Sequence, residues 1–232
     1  RSDWSSDVCS SDLQPEDFDV RRETLRTGEA PLGNFLADAF RWKAGADVAF
    51  IAGGSIRGDR IYPAGSATYA TLTNMMPFGG SLWKGSLSGS DLLVVLETSA
   101  SGYALGEENY DAAMRVPTGG FLQVSGLRFS IDPGRQPLLI DNNGIVRTRG
   151  SRLVKAEVRQ PDGSWAPVDP KRIYTVATTD WTAGGGDKHY VLKKNGSAFS
   201  SMEQMYLEAA ADYIRFLKEM GGKAEGRITI LR

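Results

Sequence analysis

Two stretches, DVAFIAGGSIRGD at residues 47–59 and IYTVATTDWTAGGGD at residues 173–187, share one pattern. Each is a run of apolar and β-branched residues of strand length that breaks into a glycine-rich loop ending in aspartate. Short apolar runs bounded by glycine read as buried strands. Loops at the ends of such strands are where open α/β sheets place ligands. The two stretches therefore predict two buried strands and two candidate binding loops.

The elements around them alternate irregularly. PLGNFLADAFRWKA (31–44) carries Pro31 at a first-turn position, and Leu32, Phe35, Leu36, Ala39 and Phe40 at the spacing of an amphipathic helix. TYATLTNMMPF is a helical turn ending near Pro77, GSLWKGSLSG a strand, and SGSDLLVVLETSAS (88–101) a helix with a Ser or Asp start signal. Residues 102–119 show no sustained period and read as a long surface loop. GFLQVSGLRFSIDP and RLVKAEVRQPDGSW read as strands, the second turning at Pro161-Asp162-Gly163. SMEQMYLEAAADYIRFLKEMGG reads as one helix with Met202, Met205, Tyr206, Ala209, Tyr213, Phe216, Leu217 and Met220 on a single face, ended by Gly221. GRITILR closes as a strand. This mixture predicts an α/β (α+β) domain with a mixed β-sheet and packed helices.

The chain has 232 residues, with 27 Lys and Arg against 28 Asp and Glu, a formal −1. A near-neutral balance without a basic stripe excludes a nucleic-acid binder. The N-terminal stretch RSDWSSDVCSSDL (1–13) holds Cys9, the only cysteine, and lacks the apolar run of roughly 7–15 residues that a signal peptide needs. It contains no membrane segment. Its residues 3–13 resemble, position for position, the translation of a common short-read sequencing adapter, so the segment is expected to be non-native. With Cys9 discounted and His189 the only histidine, the chain lacks the ligands of a thiolate or dinuclear His/Asp metal site.

Arg57 offers a planar fork for a phosphate or carboxylate. Trp181 offers a face for a flat ring, Asp187 an acceptor, and the glycines N–H groups for anionic oxygens. Each has a plainer counterpart. Glycine loops often only turn the chain, an arginine in such a loop is often solvated, and Phe78 and Trp181 suit core or edge packing. The spacing matches neither the dinucleotide nor the P-loop pattern, and no G-x-S-x-G elbow occurs. The residues alone leave both readings open, an anion-plus-ring site or two structural turns.

Five segments in order narrow the choice: RTGEAPLGNFLADA (26–39), ADVAFIAGGSIR (46–57), MPFGG (76–80), GFLQVSGLRF (120–129) and YTVATTDWTAGGGD (174–187). From about Arg21 onward this series resembles the C-terminal, substrate-binding domain of the 5′-nucleotidase family, which includes bacterial UDP-sugar hydrolases. The resemblance implies a nucleotide or nucleoside ligand, with Phe78 and Trp181 sandwiching the base and Asp187 bonding the ribose. Arg26 and Arg57 would lie near phosphate and sugar, with Arg22, Gly53, Gly54, Gly185 and Gly186 as secondary contacts. It implies no catalytic residue and no metal here. Two divalent ions and the hydrolysis belong to an N-terminal metallophosphoesterase domain, a partner in cis, so this chain alone is expected to be inactive. Residues 14–20 are then expected to be linker and 21–232 the domain, with a periplasmic or cell-surface location.

Three departures stand out. Trp181 replaces the family's common Phe, Ala52-Gly53-Gly54 its Asn-Gly-Gly, and Pro77-Phe78-Gly79-Gly80 its Pro-Phe-Gly-Asn. The last two remove side-chain amides that help read a base. The remaining alternatives are a standalone nucleotide-binding module, or the same domain from a cyclic-nucleotide phosphodiesterase or a thiosulfohydrolase.

Overall fold

Residues 13–66, 68–103, 110–111, 116–141, 143–194 and 199–231 are described in a computed structural model of the chain. Cys9, with residues 1–12, and most of the loop expected over 102–119 lie outside them. Both apolar runs are strands buried along nearly their whole length. Val48–Ala52 forms β1, and Ile173–Thr179 forms a later strand of the same sheet. Alternation of side chains across the pleat sends Val48, Phe50 and Ala52 into one core and Ala49 and Ile51 into another on the opposite face. A sheet covered on both faces needs no polar side, which explains why these runs are continuously apolar.

In chain order the principal strands are β1, β2 (Ser81–Ser88), β3 (Leu122–Ser125), β4 (Leu127–Ile131), β5 (Leu153–Arg159), β6 (Trp165–Pro167), β7 (Ile173–Thr179), β8 (Phe199–Met205) and β9 (Ile228–Ile230). They make two mixed sheets where the sequence predicts one. The larger has the order β8-β2-β7-β1-β3, with only the β7–β1 pair parallel. The smaller has the order β6-β5-β4-β9, with β4 and β9 parallel. GFLQVSGLRFSIDP, read as one strand, divides at Gly126 into β3 and β4, which belong to different sheets. Gly126 has φ 69°, and a Cβ there would run into the carbonyl oxygen of Asp47.

Helices α1 (Arg22–Thr27), α2 (Pro31–Ala44), α3 (Tyr69–Met75), α4 (Gly89–Ser101), α5 (Asp180–Ala183), α6 (Tyr190–Lys194) and α7 (Tyr206–Leu217) complete the fold. α2 starts at Pro31 as its sequence predicts and stops at left-handed Gly45, whose N–H donates to the Arg41 and Trp42 carbonyls. With α7 it covers one face of the larger sheet. α4, whose first turn is capped by the Ser88 hydroxyl, fills the other face together with the smaller sheet.

The long C-terminal helix is shorter than its period suggests. Residues 199–205 pair with β2 as strand β8, which bulges around Glu203 (φ 56°), and the helix begins only at Tyr206. Strand pairing outweighs the helical spacing of Met202 and Met205. Left-handed Lys218 ends α7, three residues before Gly221, while Met220 remains fully buried. The stretch 14–20, read from the sequence as linker, packs into the domain. Phe18 and Val20 enter the core, and Gln14 Nε2 donates to the Tyr62 carbonyl at 2.9 Å.

The chain's end is tied to α2 and β3 by one side chain. Buried Arg227 donates through Nη1 and Nη2 to Asp38 at 2.8 and 2.7 Å, through Nη2 to Glu225 at 2.8 Å, and through Nη1 to the Val124 carbonyl at 2.8 Å. Removing one partner of such a pair leaves a desolvated charge behind. Asp38 keeps the Ser125 hydroxyl as a donor. Arg227→Met should therefore cost about 3 kcal/mol in urea unfolding, the low end for a pair whose Asp38 partner keeps some solvent contact, with the denaturant slope unchanged.

Candidate functional site

Parallel pairing of β7 with β1, in the register Val176↔Val48 and Ala177↔Ala49, brings their C-terminal ends out side by side. Both glycine loops therefore start at one edge of the sheet. β2 runs antiparallel to β7, with Thr179 opposite Leu82, so the MPFGG segment enters at that edge. β3 runs antiparallel to β1, with Ala52 opposite Leu122, so Gly119 and Gly120 arrive there as well. Four segments far apart in sequence meet at one place for topological reasons.

They surround a cleft of about 640 Å³ whose lining includes Arg26, Arg57, Phe78, Trp181 and Asp187. Phe78 is 59% and Trp181 61% exposed. These two large rings are presented to solvent, so neither serves as core packing. The Arg57 guanidinium carbon lies 4.9 Å from the Phe78 ring centroid, within cation–π range, and its buried Nε has no hydrogen-bond partner among the described residues. Trp181 Nε1–H donates to Asp187 Oδ2 at 2.9 Å, a bond a phenylalanine in that position could not make. Arg26 reaches the cleft from α1 and is almost fully buried.

Backbone geometry explains the glycines, and it corrects the reading of their N–H groups. Gly53 N–H donates to the Phe121 carbonyl at 2.7 Å, Gly54 N–H to the Gly119 carbonyl at 2.9 Å, and Gly185 N–H to the Thr182 carbonyl at 3.0 Å. These donors hold the loops and are not directed at a ligand. Lack of a side chain is what matters. A Cβ on Gly53 would strike the Leu25 carbonyl under α1, one on Gly54 would meet Gly119 Cα at 2.7 Å, and one on Gly186 would collide with the Trp181 indole nitrogen. Gly185 (φ 89°), Asp187 (φ 51°) and Lys188 (φ 69°) wind the loop in the left-handed region. Such conformations concentrate at binding sites. Gly54 lines the cleft, whereas Gly53, Gly185 and Gly186 are not among its lining residues. Arg22 also lies off the cleft lining. Its Nε sits 3.6 Å from Asp59 Oδ2, and its backbone N–H donates to Asp59 Oδ1.

His189 is fully buried, and its Nε2–H donates to the Gly120 carbonyl at 2.9 Å. Burial holds its pKa below the usual imidazole value, so it acts as a neutral pin between the Trp181 loop and β3. Among the described residues no three His, Cys, Asp or Glu side chains group into a metal site.

Sequence reasoning missed Ser55, Thr179, Asp180 and Tyr206, which share the lining. Asp180 begins α5 directly after a buried strand. Its Oδ1 accepts from Trp181 N–H at 2.8 Å and its Oδ2 from Ser81 N–H at 3.1 Å. An acidic residue in the first turn after a strand was the available signal. The sequence pattern places Tyr206 on a helix face. Its hydroxyl pKa is raised by burial and by the nearby Asp180 charge, a shift opposed by the backbone N–H groups of Gly80 and Phe78.

Known proteins are similar to the chain in sequence and fold. Over 216 residues the chain is 28% identical to the trifunctional nucleotide phosphoesterase YfkN of Bacillus subtilis, covering 91% of this chain and 13% of that protein. It is 27% identical to a snake venom 5′-nucleotidase of Macrovipera lebetinus, covering 90% of this chain and 49% of that one. It thus spans less than half the length of either relative. A 5′-nucleotidase precursor of Thermus thermophilus superposes with a TM-score of 0.78 at 31% identity, over 95% of this chain and 40% of that one. The description of the 5′-nucleotidase C-terminal domain matches residues 8–194, a range that holds both glycine loops and both exposed rings, and on that ground the chain belongs to the 5′-nucleotidase C-terminal domain family.

Proposed function

We propose that this chain is the nucleotide- or nucleoside-binding domain of a two-domain, metal-dependent phosphohydrolase of 5′-nucleotidase type, acting in nucleotide breakdown. The observation that carries the reading is the pair of exposed rings, Phe78 and Trp181, standing on separate loops at one cleft with two arginines and a carboxylate. A flat base stacks on such rings at roughly 1–3 kcal/mol. Asp187, fixed by Trp181 Nε1, accepts from sugar hydroxyls. Arg26 and Arg57 supply positive charge for the phosphate. Hydrolysis belongs to the metallophosphoesterase domain, with two divalent ions, that the family resemblance implies. The contribution of this chain is orientation, which removes entropy from the barrier. Among the described residues no helix is long and apolar enough to cross a membrane. The venom relative motivates a periplasmic or cell-surface setting for the whole protein.

Calorimetry with AMP tests the clamp. Wild type should bind weakly, and Trp181→Ala should lower affinity at least tenfold. Unchanged affinity in that variant would falsify the stacking role. Trp181→Phe keeps a ring but loses the bond to Asp187, so it should cost roughly fivefold, in line with one hydrogen bond of about 1 kcal/mol. Incubated with AMP and Mg²⁺, Mn²⁺, Co²⁺ or Zn²⁺, the chain by itself should release no phosphate in a molybdate assay. Turnover that depends on Asp187 or Arg57 would place catalysis in this domain instead.

A further inference from the structure

Asp180 stands at the root of both ring-bearing segments. Its carboxylate bonds the Trp181 N–H directly, and the Ser81 N–H three residues after Phe78. It is half-buried on the cleft wall, and no Lys, Arg or His pairs with it among the described residues. Each carboxylate oxygen accepts one backbone N–H and so keeps a lone pair free. The group is thereby a fixed double acceptor, set beside the rings on a stretch of cleft wall shared with Gly80, Thr179 and Tyr206. Gly80 has no side chain to compete with it.

Gly80 and Asp180 are coupled by space. A Cβ on Gly80 would lie 2.5 Å from Asp180 Oδ1 and 2.9 Å from Oδ2. The carboxylate therefore fills the room that any larger residue at position 80 would claim. A carboxylate there repels phosphate and ring carbonyl oxygens, and it accepts from N–H groups. Two oxygens on one planar group match two neighbouring donors on a ring edge, as carboxylates match paired donors in general.

We infer that Asp180 reads the base edge in this cleft and selects nucleobases that present adjacent N–H donors, guanine above the others through its ring N1–H and 2-amino group. The inference rests on the nucleoside reading above and deepens it. Asp180 specifies which ring the clamp prefers, while Phe78 and Trp181 bind any ring.

GMP and IMP differ only in that 2-amino group, so their affinity ratio measured by calorimetry isolates the contact. Wild type should bind GMP at least fivefold more tightly than IMP. The isosteric Asp180→Asn should bring the ratio to within twofold of unity. Gly80→Ala, whose methyl group displaces the carboxylate, should do the same while AMP binding persists. A purely structural role for Asp180 predicts something different: both affinities fall together in Asp180→Asn and the ratio holds, which overturns the inference. Equal wild-type affinities for GMP and IMP overturn it without any variant, and leave the clamp standing. If wild type binds none of GMP, IMP and AMP, the nucleoside reading fails and this inference fails with it.

Discussion

The parallel contact between β7 and β1 is the constraint from which the cleft follows. Two strands paired in the same direction end at the same edge, and each here ends in a glycine loop. Had the pair been antiparallel, Arg57 and Trp181 would lie at opposite ends of the sheet. The two other strand ends at the cleft are placed relative to that pair, β2 by its register with β7 and β3 by its register with β1. A parallel pair needs a long crossover. The chain from Gly53 to Arg172 supplies it, and much of the smaller sheet is built within it. The fold can thus be seen as a way of returning a strand beside β1 with its loop on the correct side.

Local order around the cleft is maintained by polar contacts in and behind its wall. His189 pins the Trp181 loop to Gly120, Asp180 ties Trp181 to Ser81, and the N–H groups of Gly53 and Gly54 stitch the first loop to β3. The result is a preorganised site, in which little conformational freedom remains to be lost on binding. Replacing phenylalanine by Trp181 extends the same logic, because the indole N–H fixes the ring to the carboxylate beside it.

How much could be read from the sequence depended on whether the deciding interaction was local. α2 was legible because Pro31 and the apolar stripe both act within the helix itself. The two buried strands and their glycine loops were legible for the same reason. Strand β8 was not, since its Met202 and Met205 fit a helical stripe and only pairing with β2 makes them extended. The glycines were legible from their pattern, but the carbonyl partners of the Gly53 and Gly54 N–H groups were not. Whether an N–H faces a ligand or a neighbouring carbonyl depends on Gly119 and Phe121, some 65 residues away in sequence. The five principal site residues share the cleft, Arg57, Trp181 and Asp187 being suggested by their chemistry and Phe78 and Arg26 by the motifs of the resemblance, whereas Asp180 drew no notice because its two backbone partners belong to different segments.

The sheet divides the interior into two cores, and the exposed rings are rooted in different ones. Phe78 follows α3, whose Leu72 and Met75, with neighbouring Met76, belong to the core under α2 and α7. Trp181 lies in α5, whose Ala183 belongs to the core shared with α4 and the smaller sheet. The gap between the rings therefore depends on two packings, one on each face of the sheet, joined by the bonds from Asp180 to the Trp181 and Ser81 N–H groups. A volume change in either core acts first on the jaw rooted in it. Ligand width can in this way drift over evolution through substitutions far from the cleft, without altering any residue that touches what binds there.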